Sequence, residues 1–497
     1  MKKSNRICLI TPPSPFLLDE RVFMHIGILK IAAVLEAKGY HIDFLDLAGV
    51  YNYLEVVDSY CSNTDNTLFG ITATTPQVPF AVNVSESIKS ILPDAKIILG
   101  GTHVSLMHSA FKKEKTKGIV ERATKDIERL LGHFDILVAG DGELAIEKAL
   151  GMDRGVIDAD DRKSDMFLTN DMFSNNPFPA RHLVDIDSYN YSIEGENATS
   201  LIAQLGCPFK CTFCGGRNSP FLRNIRTRTT ESVVDEIEHL YLIYGFKGFM
   251  FYDDELNVNK QWEGLLRAII KLQKKYDVKF MLRGFVKAEI FTEEQAELMY
   301  KAGFRWLLTG FESGDERILK NIEKIAKVED NTRCVSIAKK YGLKVKALMS
   351  IGHAGESKET IDNTKNWLLE VEPDDFDCTI ITVYPGSPYF DDALPLPDES
   401  GYVYTQPKSG DKLYQSSLNY LEDLDYYKGD PSTGYISNVW TDHLSPSELV
   451  EERNSLEEEV RNILNIPFNP TGSNIKFEHS MGQGNIPSSI LRKTHNQ

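Results

Sequence analysis

From Ser200 to Gly386 the chain repeats one unit: a short run of β-branched and aromatic residues, then a stretch with helical periodicity. SLIAQL leads to ESVVDEIEHLYLIYG, GFMFYD to WEGLLRAIIKLQKKY, VKFMLRG to TEEQAELMYKAG, RWLLTG to DNTRCVSIAKKYG and KVKALMSIG to KETIDNTKNWLLEV, and DCTIITVYPG closes the series. Such alternation forces parallel pairing, because each helix must carry the chain back across the sheet. Six strands fall short of the eight that close a barrel. The expectation is a curved, partly open (β/α)6 barrel over residues 196–390, with its chemistry in the loops at the carboxyl ends of the strands.

Residues 1–150 alternate in the same way. RICLIT, HIDFLD, TLFGIT, KIILG and DILVAG read as strands, and IGILKIAAVLEAKG and PFAVNVSESIKSIL as helices. This is the pattern of a doubly wound, Rossmann-like α/β domain, whose ligands bind at the carboxyl ends of its strands. Residues 151–195 lose the pattern and read as a linker. Residues 391–497 read as a small, mostly helical C-terminal region. Its clear element is SPSELVEERNSLEEEVRNIL, with Ser445 as N-cap, Pro446 at N1 and Glu448 at N3. The tail after Pro467, rich in Asn, Ser, Gly and His, reads as disordered.

The net charge is −17, from 72 acidic and 55 basic residues, and no long basic run stands out, so no nucleic-acid partner is expected. No apolar stretch approaches the roughly 18 residues of a membrane span, so no membrane partner is expected. The start reads as a leading strand, not a signal peptide. A cytoplasmic location follows, in which the seven cysteines are thiols or metal ligands.

Three of them lie together in GCPFKCTFCGGRN: Cys207, Cys211 and Cys214. A structural zinc site needs four ligands. The nearest histidines, His182 and His239, are far along the chain, which leaves zinc as the weaker alternative. A 4Fe–4S cluster held by three thiolates keeps one iron open to a ligand. Lys210 and Arg217 nearby favour thiolates and an anionic ligand.

The spacing C-x3-C-x2-C, with Phe213 as the aromatic residue before the last cysteine, resembles the signature of radical S-adenosylmethionine (SAM) enzymes. That family shares the partial barrel expected above. The resemblance implies that the open iron chelates SAM and that reduction of the cluster releases a 5′-deoxyadenosyl radical. Further segments are similar to the family's SAM-binding strand ends. FMFYDDELNVN supplies Asp253, Asp254 and Glu255. LLTGFESGDERIL supplies Glu312 and Ser313, and LMSIGHAGESKETID supplies Gly352. YPGSPYFD supplies Tyr384. Arg283, at the end of the third barrel strand, is assigned to the SAM carboxylate. His353 replaces a residue usual in its segment and reads as an ordinary hydrogen-bonded histidine ahead of a proton donor.

Residues 1–150 resemble the cobalamin domain that precedes the barrel in many of these enzymes. The implied cobalamin-binding positions are Thr72, Thr74, Thr75, Gly100, Gly101 and Gly140. The cobalt-ligating motif Asp-x-His-x-x-Gly does not occur, and His25 stands two residues before Gly27, the wrong spacing. Cobalamin without a histidine lower ligand is therefore expected. The resemblance as a whole implies methylation of an unactivated carbon or phosphorus of a small molecule, with electrons from a flavodoxin or ferredoxin. The alternatives are radical cyclisation, rearrangement or aminocarboxypropyl transfer on the same scaffold, or a non-catalytic iron–sulfur or zinc module.

Overall fold

A computed structural model describes residues 5–17, 19–427 and 435–467; the tail read as disordered lies outside the described residues. The front sheet has strands β1 (Arg6–Thr11), β2 (His41–Asp46), β3 (Leu68–Thr72), β4 (Lys96–Gly100), β5 (Ile136–Gly140) and β6 (Gly155–Ala159). They run parallel in the order β2-β1-β3-β4-β5-β6. The last of them falls within the segment that the sequence reads as linker. Helices α1 (Ile26–Ala37), α2 (Tyr53–Ser62), α3 (Val78–Ile91), α4 (Thr102–Lys117), α5 (Arg122–His133) and α6 (Gly142–Gly151) cover the sheet. Ile28 and Ala32 of α1 pack with Ala145 and Ile146 of α6 on one face. Val57, Ile88 and Leu130 of α2, α3 and α5 close the other. The strand order reverses between β1 and β3, which opens a crevice at their carboxyl ends.

The second sheet begins with β7 (Ser192–Ile193), antiparallel to β8 (Glu196–Leu201). The two-residue strands β9 (Gln204–Leu205) and β10 (Arg226–Thr227) pair only with each other. The remaining barrel strands are β11 (Gly248–Phe251), β12 (Met281–Phe285), β13 (Phe304–Glu312), β14 (Lys344–Ile351) and β15 (Asp375–Ile380). With β8 they form six parallel strands in chain order, and β7 and β15 lie at the two edges. Helices Thr230–Tyr244, Trp262–Tyr276, Glu293–Ala302, Val328–Lys340 and Lys358–Val371 pack on the convex side. Part of the concave side is filled by Met250 and Leu308 together with Val22 and Tyr191, which reach in from the front segment and the linker.

The C-terminal region is more than helix. Strands β16 (Leu394–Pro395), β17 (Gly401–Thr405), β18 (Lys412–Ser416) and β19 (Val439–Thr441) form an antiparallel sheet. These short runs stand among turn residues, so the sequence pattern alone did not separate them from loop. The helix Pro446–Leu464 starts on the capping box read from the sequence, with the Ser445 amide donating to Glu448 at 2.8 Å. It docks on β15 through Arg453, which donates to the Cys378 carbonyl at 2.9 Å.

Buried charge pairs join the front domain and linker to the barrel. Arg226 pairs with Asp141. Glu236 takes Arg181 at 2.8 Å and Arg228 at 2.5 Å. Asp160, just past β6, accepts from Ser219 Oγ and the Phe221 amide, both at 2.7 Å. Removing one partner of such a pair strands a buried charge, which costs roughly 3–5 kcal/mol. The two strand-end faces are thereby held against each other.

Candidate functional site: a cysteine loop facing a cavity

The cysteine loop spans residues 206–225, between β9 and β10. Gly206 forms its neck at φ +87°, where a Cβ would lie 2.1 Å from the Asn224 carbonyl oxygen, so only glycine fits. Asp253, just past β11, is buried and receives the Ala203 amide on both oxygens, at 3.1 and 3.2 Å. Burial pushes this carboxyl up to about 8. The sequence assigns Asp253 to SAM, but its oxygens hold the chain where the loop begins. Asp254, next to it, is exposed.

Cys207, Cys211 and Cys214 are half-buried free thiols. Arg223 donates to Cys214 Sγ at 3.2 Å and to the Gly215 carbonyl at 3.1 Å. Lys287 Nζ stands 4.5 Å from the centre of the Phe209 ring. The Thr212 amide donates to the Ile322 carbonyl at 2.8 Å, which brings the segment of Lys324 against the loop. Burial raises the Cys211 thiol, and Lys324 and Lys287 oppose that rise. Phe213 packs on Ile318, Leu319 and Ile322. Arg223 folds back on Cys214 within the loop itself, whereas Lys287 and Lys324 reach the cysteines from other elements; none of the three is legible in the sequence.

A polar chain lines the next strand ends. Glu312, at φ +67°, pairs with Lys324 at 3.0 Å and accepts from Ser350 Oγ at 2.9 Å. Ser350 meets His353 Nε2 at 2.8 Å, and His353 Nδ1 meets the Tyr389 hydroxyl at 3.3 Å. Burial raises the Glu312 carboxyl, but Lys324 carries it below the usual range. Burial pushes His353 down to about 4, so its ring is neutral near pH 7. Glu255 is pushed up to about 7 by burial, against the pull of Lys287 and Lys324, and its buried Oε2 has no hydrogen-bond partner. Gly352, at φ +87°, admits Ile380 and Val439 to 3.2 Å from where a Cβ would stand. Tyr384 flanks the cysteine loop, its Cβ 3.2 Å from a Cβ built on Gly215.

Two assigned residues are placed differently. Ser313 is buried, with its hydroxyl 3.1 Å from Thr364 Oγ1 and taking the Asp315 amide, so it shapes the start of the next helix. Arg283 lies mid-strand in β12, not at its end. It shares a face with Met281 and Phe285, its guanidinium is 5.6 Å from the centre of the Trp306 ring, and its buried Nε is unpartnered.

The front domain carries a cavity of about 350 Å³ at the carboxyl ends of β1, β3, β4 and β5. Thr72, Thr74, Gly100, Gly101 and Gly140 all line it. Thr75 does not; it is buried, 3.3 Å from the His103 ring. His25 is on the wall despite its spacing. Ile202, Leu205, Phe221 and Tyr252 line the same cavity from the barrel side. The mouth of the front sheet and the start of the cysteine loop therefore share one space.

Residues 201–368 match the radical SAM superfamily, and residues 21–131 match the B12 binding domain. The chain is a radical SAM protein with a B12-binding domain. It is similar to an uncharacterized methyltransferase of Pyrococcus horikoshii, 27% identical over 342 residues, covering 66% of this chain and 70% of that one. It is also similar to the anaerobic magnesium-protoporphyrin IX monomethyl ester cyclase of Cereibacter sphaeroides, 25% identical over 77% of this chain and 61% of that one. Its fold matches that of the radical SAM methyltransferase TsrM from Kitasatospora setae with cobalamin and a 4Fe–4S cluster bound. The TM-score is 0.58 at 18% identity, over 78% of this chain and 74% of that one.

A radical SAM domain implies a 4Fe–4S cluster and SAM, and a B12-binding domain implies cobalamin. The radical SAM protein's own residues fit them. Each thiolate of such a cluster takes its own iron, which suits three thiols spread around a loop. Among the described residues no three His, Cys, Asp or Glu side chains converge as on a single ion, which a zinc site requires. The unpartnered Oε2 of Glu255, beside Lys287 and Lys324, offers both signs of charge to a zwitterionic amino acid. Among the described residues no helix is long and apolar enough to cross a membrane.

Proposed function

We propose that this radical SAM protein methylates an unactivated carbon or phosphorus of a small molecule. The observation that carries the reading is the shared cavity: the cobalamin-type mouth of the front sheet opens onto Leu205, where the cysteine loop begins, and Phe221, within it. When bound, the cluster with SAM supplies a carbon radical strong enough for an unactivated C–H bond, and cobalamin supplies the methyl group.

The chain's share is placement and exclusion of water. Cys207, Cys211 and Cys214 hold the cluster, and Arg223 fixes Cys214. Glu255 and the pair Glu312–Lys324 meet the charged end of SAM, with Gly352 and Tyr384 flanking it. Thr72, Thr74, Gly100, Gly101 and Gly140 receive the corrin. Arg283 takes part as a buried cation under the site, through its unpartnered Nε, and Asp253, Asp254 and Ser313 support the loops around it. A flavodoxin or ferredoxin serves as electron donor, in the cytoplasm.

The similarity to the cyclase favours one second reading, radical cyclisation or rearrangement on the same scaffold. The two readings separate on products. Reduced, reconstituted protein given SAM yields S-adenosylhomocysteine together with 5′-deoxyadenosine if it methylates, and 5′-deoxyadenosine without S-adenosylhomocysteine if it cyclises or rearranges.

A further inference from the structure

Lys30, in α1, lines the front cavity and is 6% exposed. Among the described residues its ammonium has no hydrogen bond and no ion pair; it lies over the Phe173 ring, 4.1 Å from the centre. Burial pushes it down to about 8, which leaves it charged at neutral pH, with Glu143 and Asp141 pulling it up and Arg228 opposing them. Asp141 is already paired with Arg226. A buried, unpaired charge costs several kcal/mol. A cation kept at that cost and turned to a cavity is built for an anion that arrives with a ligand.

The walls say what kind of ligand. The mouth, at Thr72, Thr74, Gly100 and Gly101, offers hydroxyls and open backbone. Deeper, the cavity runs between the sheet and helices α1 and α6, where Leu9, Ile31, Gly70, Ile98, Val138 and Ile146 line it. The matching molecule has a flat head bearing amides, an apolar ring that enters between sheet and helices, and an anion on the link between them. Cobalamin has these three parts: the corrin, the benzimidazole base and the phosphodiester of the nucleotide tail.

We infer that Lys30 is the anion-binding residue of this cavity and takes the phosphodiester of the cobalamin nucleotide tail, with the base in the apolar arm. This rests on the reading of the front domain as cobalamin-binding.

The test compares two corrinoids on the full chain by equilibrium dialysis. Cobinamide has the corrin but neither phosphodiester nor base. Lys30→Met and the polar but uncharged Lys30→Gln are expected to weaken hydroxocobalamin binding by about ten- to a hundredfold, the worth of one charge-assisted hydrogen bond. Cobinamide binding stays at the wild-type value, and Lys30→Arg retains most of the cobalamin affinity. Equal loss of both corrinoids, or loss of neither, overturns the assignment of Lys30 while wild-type binding still upholds the front domain as a cobalamin site. Failure of the wild type to bind either corrinoid sinks that reading and the Lys30 assignment with it.

Discussion

The ring of Phe213, the aromatic residue of the cysteine signature, faces the ring of His353 across 5.3 Å at a tilt of 55°. His353 in turn reaches Glu312 through Ser350. One contact thus ties the cysteine loop to the strand ends that carry the ion pair with Lys324. Because burial holds His353 down at about 4, the folded protein binds fewer protons there than the unfolded chain, whose histidine titrates near 6.5. Stability must fall as the pH drops through that window. Relative to His353→Gln, the wild type is expected to lose about 2 kcal/mol between pH 8 and pH 5. Denaturant unfolding of the ligand-free protein checks this.

Arg223 donates to Cys214 Sγ at 3.2 Å. Hydrogen bonds and positive charge at a cluster sulfur favour the reduced state. Arg223→Gln is expected to make the cluster harder to reduce. A charge-assisted bond worth about 1.5–3 kcal/mol corresponds to roughly 65–130 mV for one electron. Redox titration without SAM measures the shift, and an unchanged potential contradicts the role.

His25 stands in the cavity wall, but its ring nitrogen Nε2 meets the Gln77 amide at 3.4 Å, and Gln77 is itself fixed by Ser14 Oγ at 2.8 Å. Bound cob(II)alamin is therefore expected to show no nitrogen splitting from a protein imidazole in its electron paramagnetic resonance spectrum. His25→Ala should leave the spectrum as it is. Splitting that disappears in His25→Ala makes His25 the lower ligand and corrects the spacing argument.

Lys30 gives a pH effect of the same sign as that of His353, in a more alkaline window. Its folded ammonium titrates near 8, against about 10.4 when unfolded. The penalty is full below pH 8 and fades as the pH rises toward 10.4. Ligand-free Lys30→Met should be more stable than wild type by up to about 3 kcal/mol at pH 7 and by about 1 kcal/mol at pH 10.

The barrel was legible because its six strands alternate with five long, periodic helices, and the cysteines because chemistry fixes their spacing. Edge strand β6, GVIDA, was hidden by its Gly and Asp residues within a charged stretch. The direction of Arg283 follows from the two-residue period of a strand, which puts it with Met281 and Phe285. What no pattern carried is convergence: Lys287 and Lys324 matter because separate elements bring them to the cysteines, and Lys30 because its helix turns it to the front cavity. Asp253 and Ser313 look like ligands in the chain and serve the backbone in the fold, because short polar side chains at strand ends readily bond nearby amides.

The central claim is that the two strand-end faces act on one substrate space as a methylating pair. Its most direct measurement is a product count on anaerobically reconstituted protein, with cobalamin, a low-potential reductant and SAM carrying a deuterated methyl group. The account predicts about four irons per chain, lost in the Cys207, Cys211 and Cys214 triple Ala variant. It predicts both 5′-deoxyadenosine and S-adenosylhomocysteine, the first abolished in that variant and the second abolished without cobalamin. 5′-Deoxyadenosine with no S-adenosylhomocysteine, or methylthioadenosine in its place, contradicts methylation.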